Sequence, residues 1–579
     1  MFLLQSDRSS AFRMQREGSA MNDLKETSRI LNLTKDLVRI KSINGTDGEK
    51  EIGLFLEKRL REIPYFKEHP DQVISKVIDQ DPLSRRSVFA LLRGKGESGK
   101  TVILHGHTDT VGLSGYGKLS DLACDPDRLM AEMKRLDELS MLDLTEEVRR
   151  DLYSGEYLFG RGSSDMKSGD AVFIVLLEEL AKSDAFHGNL LLMLNPVEEN
   201  LHTGVIDSID LLLEIRDKYK LDYILAINND FTCPLSSEDD FLHLYTGVGG
   251  KILPAFYIHG RETHVGQCFE GMDASHIAAE ILEKIQLSRD FCDTTGSEIT
   301  CPPSVLKLKD LKKWYNVQTA GEAFVYFNYY VHEESMDSIT KKLLSAAEAA
   351  YDAVEDHLNS EARWYLEKKG ESFSHIHYQR RIMTYDGLYQ YARERCSRKD
   401  IDSALQKICE EEKDRGTDLR EIPIAMIRFL IETAGITEPA VVLYYAAPYC
   451  PHNTLKESDA ELLQLLKESA MSVENQFGVK YKIHPYYPSL SDSSYLKIDD
   501  DDASIAALKM NFPAMDQLYP LPIDQIKRLN IPAINLGTYG KDAHKWTERV
   551  NVPLTMQVLP ELVRQVLNRV LSTDGRGML

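Results

Sequence analysis

The chain has 579 residues, with 69 lysines and arginines against 91 aspartates and glutamates, so its formal net charge is −22. A chain of this length is expected to form two or more domains, because single hydrophobic cores stop growing near roughly 250–300 residues. Binding to nucleic acid is not expected, because it depends on cations that displace condensed counterions. The same negative charge argues against binding to an anionic membrane surface.

The eight cysteines are scattered, with no C-x-x-C pair and no dense framework of the kind that small secreted domains need. A reduced, cytoplasmic setting is therefore expected. The first residues contain only a short apolar run, too short for the apolar segment of a signal peptide. No stretch approaches the roughly 18–20 apolar residues of a membrane-spanning helix. Residues 1–20 are polar without periodicity and are expected to be a disordered extension.

The sequence from residue 21 predicts two helices and then an alternation of strands with helices. Apolar residues at helical spacing mark helices at Leu24–Ile40 and Ile52–Leu60. The segments that follow are strands at Ser87–Leu92, Thr101–His105, Leu190–Leu194 and Asp222–Ile227, and a helix at Ala171–Ala181. This alternation is typical of an α/β domain with a doubly wound, largely parallel and buried sheet. Its first part is predicted to span residues 21–246.

A smaller module is predicted over residues 247–450. Its strands are expected at Ile252–His259 and Ala323–His332, each followed by a helix, at Ala274–Gln286 and Met336–Leu358. This pattern predicts an inserted α+β lid or dimerisation domain, with a charged helical elaboration at about 361–438. Residues 451–579 would complete the first domain. The acidic run at 499–502 is interpreted as a solvated loop, because it lacks the spacing of a calcium loop.

One polar motif follows a predicted strand directly. His107 and Asp109 are two positions apart on an extended backbone, so their side chains point the same way. Ligands of open α/β sheets bind at the carboxyl ends of the strands. An aspartate there can hold one imidazole nitrogen while the other nitrogen binds a metal. Taken alone, the motif is equally consistent with a polar strand end.

Further polar segments lie at comparable positions. Asp165 lies in the glycine-rich loop Gly160–Gly169, at the start of an apolar helix, where a carboxylate is favoured but a simple N-cap would look the same. Glu198 and Glu199 follow a buried strand, and such neighbours repel each other unless a cation or a shared proton intervenes. Asn228, Asn229 and Asp230 end another strand, and His544 lies in a glycine-rich loop near the C-terminus.

These motifs resemble, in identity and order, those of the M20 family of metallopeptidases and amidohydrolases, over most of the chain except about 361–438. The resemblance implies two divalent metal ions, one bound by His107 and Asp230, the other by Glu199 and His544, with Asp165 bridging them. Asn228 or Asn229 could take the place of Asp230. Mixed histidine and carboxylate ligands suit Zn²⁺, the first expectation, but also Mn²⁺ or Co²⁺.

The resemblance also implies roles for residues outside the ligand set. Glu198 would be the general base, and Asp109 would orient His107. His264, in the inserted domain, matches a family histidine that reaches a neighbouring subunit's active site and stabilises the oxyanion, which implies a homodimer. Ser491 and Asp492 lie where family members keep a substrate-binding loop, although an ordinary turn is equally consistent.

The expected function is therefore metal-dependent hydrolysis of an amide bond, in a peptide or an N-acyl amino acid. Metal-activated water would attack the carbonyl while Glu198 takes up the proton. Within the family, the chain is most similar to proteins of arginine utilisation, and this closer resemblance implies a place in arginine catabolism. A serine hydrolase is poorly supported, because no Gly-x-Ser-x-Gly motif precedes a helix. The alternative is a non-catalytic, metal-loaded binding or regulatory protein, but such a protein would not need Glu198 beside the ligand Glu199.

Overall fold

The computed structural model describes residues 24–572, with the exception of residues 97, 237, 296 and 297. The predicted extension at residues 1–20 lies outside the described residues. The chain divides into two compact units. The first comprises the chain up to Val248, Asn453–Ile498 and the chain from Pro522 onward, and the second comprises Gly249–His452 and Asp499–Leu521. Residues 499–521 thus belong to the second unit, whereas the sequence analysis assigned them to the first domain.

The first unit is built on an eight-stranded sheet, as far as the described residues show. Across the sheet the strands lie in the order Val73–Val77, Arg86–Arg93, Asn189–Asn195, Lys100–His107, Asp222–Asn228, Ala533–Asn535, Leu242–Tyr245 and Tyr481–His484. The third to sixth strands of this order are mutually parallel, and antiparallel pairings flank them. The predicted α/β class is confirmed, and the sheet is mixed.

Some helices of the first unit pack against this sheet, and Pro126–Glu138 and Glu146–Ser154 contact the short strand Tyr157–Phe159 instead. The helices of this unit span 24–39, Gly48–Arg61, Pro64–Glu68, Pro126–Glu138, Glu146–Ser154, Ser168–Leu180, Thr203–Tyr219, Ala460–Phe477, Ile523–Leu529 and Leu559–Leu571. The helix Ser168–Leu180 is mostly apolar and is buried along almost its whole length, and the strand Asn189–Asn195 is buried throughout. Their side chains share one hydrophobic core. The loops that leave these elements therefore start from rigid supports.

Short strands form a small sheet and a two-stranded ribbon in the first unit. Gly540–Lys541, Arg549–Asn551 and Tyr157–Phe159 form a small antiparallel sheet. The strands Gly540–Lys541 and Arg549–Asn551 flank the loop that contains His544, and Tyr157–Phe159 precedes the loop that contains Asp165. Their pairing therefore brings two distant parts of the sequence together. The two-stranded ribbon pairs Gly247–Val248 with Asn453–Thr454.

The second unit contains a five-stranded sheet among its described residues. The strands lie in the order Ser304–Asp310, Glu322–Val331, Gly250–His259, Ala440–Cys450 and Arg381–Thr384, and only the last pairing is parallel. A short hairpin pairs Thr294–Thr295 with Glu298–Ile299. The helices are Ala274–Ile285, Met336–Lys369, Tyr385–Arg393, Arg398–Asp414, Ile422–Ala434, Asp502–Met510 and Met515–Leu518.

Three features of the second unit differ from the sequence prediction. The helix predicted at Met336–Leu358 continues to Lys369, and the region at 361–438 contains the strand Arg381–Thr384 besides its helices. The predicted acidic loop is partly a helix start, because the Asp501 side chain accepts a hydrogen bond of 2.8 Å from the Ser504 N–H. In the part of the chain that the structure describes, no helix combines the length and the apolar character needed to cross a membrane.

Candidate metal centre

The candidate site lies in the first unit, where neighbouring strands end. His107 is the last residue of the strand Lys100–His107, and Glu198 and Glu199 follow the adjacent strand closely. Asp230 follows the strand Asp222–Asn228, which pairs with the other side of Lys100–His107. Since these strands are parallel, their carboxyl ends meet at one edge of the sheet, as expected for ligand sites of this fold.

The side chains of His107, Asp165, Glu199 and His544 converge at this edge. His107 Nε2 lies 3.0 Å from Asp165 Oδ1, and His544 Nε2 lies 3.1 Å from Asp165 Oδ2. His544 Nε2 also lies 3.0 Å from Glu199 Oε1. The two oxygens of Asp165 thus face different histidines, an arrangement that is compatible with a carboxylate between two ions.

These spacings fit a metal centre. One donor atom each from His107, Asp165 and Glu199 lies within 4.8 Å of the others. Zinc bonds of about 2.0–2.1 Å in tetrahedral geometry place ligand atoms roughly 3.3 Å apart. The observed separations therefore match donors that share an ion.

The charges of the site also favour a metal centre. Burial alone would lower the pKa of His107, but the carboxylates of Asp165 and Glu198 outweigh it and hold this pKa well above its ordinary value. Burial raises the pKa of Glu198 well above its usual range, and burial together with the Asp165 charge raises that of Glu199. Against the effect of burial, hydrogen bonds with His107 and His544 lower the pKa of Asp165. Buried like charges of this kind favour a bound cation.

Asp230 belongs to the same electrostatic cluster. It is buried, and burial together with the charge of Asp165 raises its pKa well above the ordinary value. The neighbouring Asn228 donates its side-chain N–H to Ser491 Oγ at 2.7 Å, and its Oδ1 accepts a hydrogen bond of 2.9 Å from the Asn229 N–H, so both ends of its amide are engaged. These contacts favour Asp230 over Asn228 as a metal ligand.

Asp109 contacts His107, which it was expected to orient, and also the backbone of Glu198 and Glu199. Its carboxylate accepts hydrogen bonds from the backbone N–H groups of Glu198 and Glu199, at 3.0 and 3.1 Å. His107 Nδ1 lies 3.2 Å from the Asp109 carbonyl oxygen and 3.7 Å from its carboxylate. The backbone of Asp109 is therefore the nearer partner of His107, and its carboxylate fixes the segment that carries the two glutamates.

An ion pair that the sequence analysis missed connects the loops of Asp165 and His544. Arg161 and Glu548 are both buried and contact each other. Glu548 accepts hydrogen bonds from the N–H groups of Ser164 and Asp165, while Arg161 donates to the carbonyl of His544. That carbonyl belongs to a residue with a φ of +67°, a conformation that costs a non-glycine residue roughly 1–3 kcal/mol. The pair thus holds two candidate ligands in position.

A second missed residue, His202, lies beside the predicted base. It is fully buried, and its Nδ1 lies 3.0 Å from Asp492 Oδ1 and 3.9 Å from Glu198 Oε1. Ser491 and Asp492 are themselves buried, and both hydrogen bond to protein groups near the site. No motif spacing links His202 to Asp492, since 290 positions separate them.

His264 belongs to the second unit. Its side chain is exposed, and its Nδ1 accepts a hydrogen bond of 3.0 Å from the Gly266 N–H at the start of a short turn.

The mixed α/β fold and the converging candidate ligands are those of a metallopeptidase-type hydrolase, and the comparisons agree in the class of protein. The sequence matches peptidase family M20/M25/M40 over residues 143–499. The chain therefore belongs to this family, whose members generally depend on two metal ions. Membership supports a hydrolase enzyme over a non-catalytic binding protein.

Individual relatives span nearly the whole chain. It is 36% identical to Protein RocB of Bacillus subtilis (strain 168) over 560 residues, covering 96% of this chain and 97% of that protein. It is 32% identical to an uncharacterized protein of the same organism, YqjN, over 555 residues, covering 95% and 98% respectively. A tripeptidase from Staphylococcus aureus shares the fold with a TM-score of 0.50 at 14% identity, covering 94% of this chain and 98% of its own.

Proposed function

We propose that this protein hydrolyses an amide bond, in a peptide or an N-acyl amino acid, at a centre that holds two divalent metal ions. The observation that carries the proposal is Asp165, whose two oxygens lie 3.0 and 3.1 Å from His107 and His544. His107 and Asp230 would hold one ion, and His544 and Glu199 the other, with Zn²⁺ first among the candidate metals. The bound ions would polarise the scissile carbonyl and the attacking water.

Glu198 is the proposed general base. It is buried at the same edge of the sheet, with Oε2 at 4.0 Å from His107 Nε2, and it is fixed through its backbone N–H by Asp109. Its carboxylate would accept the proton of the attacking water and return it to the leaving nitrogen. His202, held by Asp492, would position this carboxylate.

The remaining features of the proposal rest on the family resemblance. We place the reaction in arginine catabolism in the cytoplasm, with a small molecule or a peptide as substrate. The protein would act as a homodimer in which His264 of one subunit donates to the oxyanion formed in the other. The exposure of His264 agrees with such a role, because a donor in trans must be free to reach a partner.

Two adjacent glutamates provide a matched test. Glu198→Gln should retain both metal ions but lose turnover by about 10²–10⁴-fold, because an amide cannot accept the proton. Glu199→Gln should lose metal as well, since it removes a ligand charge. Elemental analysis would measure metal content, and release of free amine from dipeptides and N-acyl amino acids, with added Zn²⁺, Mn²⁺ or Co²⁺, would measure turnover. A Glu198→Gln variant with a rate near that of the parent would contradict the assignment of the base.

A further inference from the structure

Two cysteines of the second unit flank a short hairpin. The hairpin pairs Thr294 with Ile299 and Thr295 with Glu298. Outside these pairs, the Thr300 N–H donates to the Asp293 carbonyl at 2.9 Å, and the Asp293 N–H donates to the Thr300 side chain at 2.8 Å. The next residues outward are Cys292 and Cys301.

The register places the two thiols opposite each other. Hydrogen-bonded and non-hydrogen-bonded pairs alternate along an antiparallel ladder. Asp293 and Thr300 continue the pairing one position outward, with one backbone bond and one bond through the Thr300 side chain. Extended by one further pair, this register puts Cys292, whose backbone is extended at φ −80° and ψ 137°, opposite Cys301 at a non-hydrogen-bonded position. Cα atoms at such positions are about 4.5 Å apart. A disulfide needs roughly 4.4–6.8 Å.

The surroundings agree with this geometry. Cys301 is exposed and Cys292 is half-buried, so a small oxidant can reach the pair. Burial raises the pKa of the Cys292 thiol, and the charge of Cys301 raises it further.

We propose that Cys292 and Cys301 form a redox-active pair, which a low-molecular-weight disulfide oxidises to a cross-strand disulfide. The thiolate of Cys301 attacks the small disulfide, whose S–S bond breaks and releases one thiol. The thiolate of Cys292 then attacks the sulfur of Cys301 in this mixed disulfide and releases the second thiol. Two protein thiols are oxidised, one small disulfide is reduced, and the two protons pass to the released thiols.

Oxidation of this pair would reinforce a structural anchor. Asp293, adjacent to Cys292, accepts hydrogen bonds from the N–H groups of His332, Glu333 and Glu334, at 2.9, 2.7 and 2.8 Å. These residues immediately precede the helix Met336–Lys369. A disulfide across the base of the hairpin would therefore fix the segment that presents Asp293 to the start of this helix.

The test uses the full chain and oxidised glutathione. Remaining thiols are blocked with N-ethylmaleimide, and the protein is denatured and digested with trypsin without reductant. Both cysteines then lie in one peptide, residues 290–307, while the exposed Cys268 lies alone in residues 262–284. The expected result is a 290–307 peptide that is lighter by two hydrogens and carries neither glutathione nor maleimide, with glutathione on the Cys268 peptide.

A variant and a denatured sample complete the design. In Cys292→Ser, Cys301 should instead retain glutathione, because no second thiol resolves the mixed disulfide. Closure of the disulfide should be faster in the folded protein than in urea, because the strand register holds the sulfurs together. The proposal is wrong if the folded wild-type 290–307 peptide carries two glutathiones or two maleimides while Cys268 is fully modified with glutathione. It is also wrong if the disulfide closes no faster in the folded protein than in urea.

Discussion

Asp170 should make the first unit less stable as pH rises. It lies in the helix Ser168–Leu180 and is fully buried, and neither of its carboxylate oxygens has a hydrogen-bond partner among the residues that the structure describes. Burial raises its pKa to about 8, although the charges of His107 and Lys167 oppose this effect. The folded protein therefore carries a proton on Asp170 at pH values where the unfolded chain, with a pKa of about 3.9, does not.

The sign and size of the effect follow from this difference in proton binding. The contribution of Asp170 to stability is complete below the unfolded pKa and is lost as pH rises through the folded pKa. Within that interval, the free energy of unfolding falls by about 1.4 kcal/mol for each pH unit. Between about pH 5 and about pH 7, the loss amounts to about 3 kcal/mol.

Asp170→Asn isolates this contribution. Asparagine has a similar shape and leaves polar atoms in the same place, so any cost that is independent of pH cancels between the two conditions. We expect the free energy of unfolding of Asp170→Asn, relative to the parent, to rise by about 3 kcal/mol from about pH 5 to about pH 7. Asp210→Asn, at an exposed position of the helix Thr203–Tyr219, should show no such change.

Urea unfolding in the presence of a chelator would measure the effect without interference from bound metal. Trp314 and Trp364 belong to the second unit. In a parent in which both are replaced by phenylalanine, the fluorescence of Trp546 reports on the first unit. An equal difference between Asp170→Asn and its parent at both pH values would refute the argument that Asp170 is buried as a neutral acid.

Two further predictions concern the proposed reaction. Glu548→Gln should weaken metal binding roughly 10–100-fold in chelator competition, because it disturbs the group that holds the Asp165 loop. Asp81→Asn, which removes a separate ion pair, should leave the affinity unchanged, and equal affinities in both variants would contradict the role of Glu548. His264→Ala should lower kcat by about 10²–10³-fold without loss of metal. Mixing it with Glu198→Gln should restore up to roughly a quarter of the activity by subunit exchange in a two-fold dimer, and no recovery after demonstrated exchange would exclude action in trans.

The main residues of the site could be predicted because their signals are local. His107, Glu198 and Glu199 follow apolar runs that are readable as buried strands, and the parallel sheet brings such strand ends together. The pairing of Arg161 with Glu548 has no comparable signal, since 387 positions separate the two residues. Both lie in segments that the sequence analysis examined, but only the folded chain shows that they form a buried pair.

The fold likewise contains elements that local sequence patterns predict and elements that they do not. Strands such as Asn189–Asn195 were predictable because they are continuous apolar runs that are buried on both faces. Arg381–Thr384 was not, because it has only four half-buried residues and lies at the sheet edge beside a strand that comes much later in the sequence. Four residues give too little periodicity to separate a strand from the charged helices around it. The assignment of 499–521 to the second unit likewise depends on packing that no local pattern reveals.

The ribbon between Gly247–Val248 and Asn453–Thr454 explains how the first unit tolerates so long an insertion. The chain leaves the unit and returns to it through two strands that pair directly, with Val248 opposite Asn453 and Gly247 opposite Thr454. The ends of the insertion are therefore fixed next to each other by contacts within the first unit. Since the entropic cost of closing a loop grows only slowly with its length, added residues between these ends cost little. The helical elaboration at 361–438 can thus lengthen the chain between Glu199 and His544 without separating these two candidate ligands.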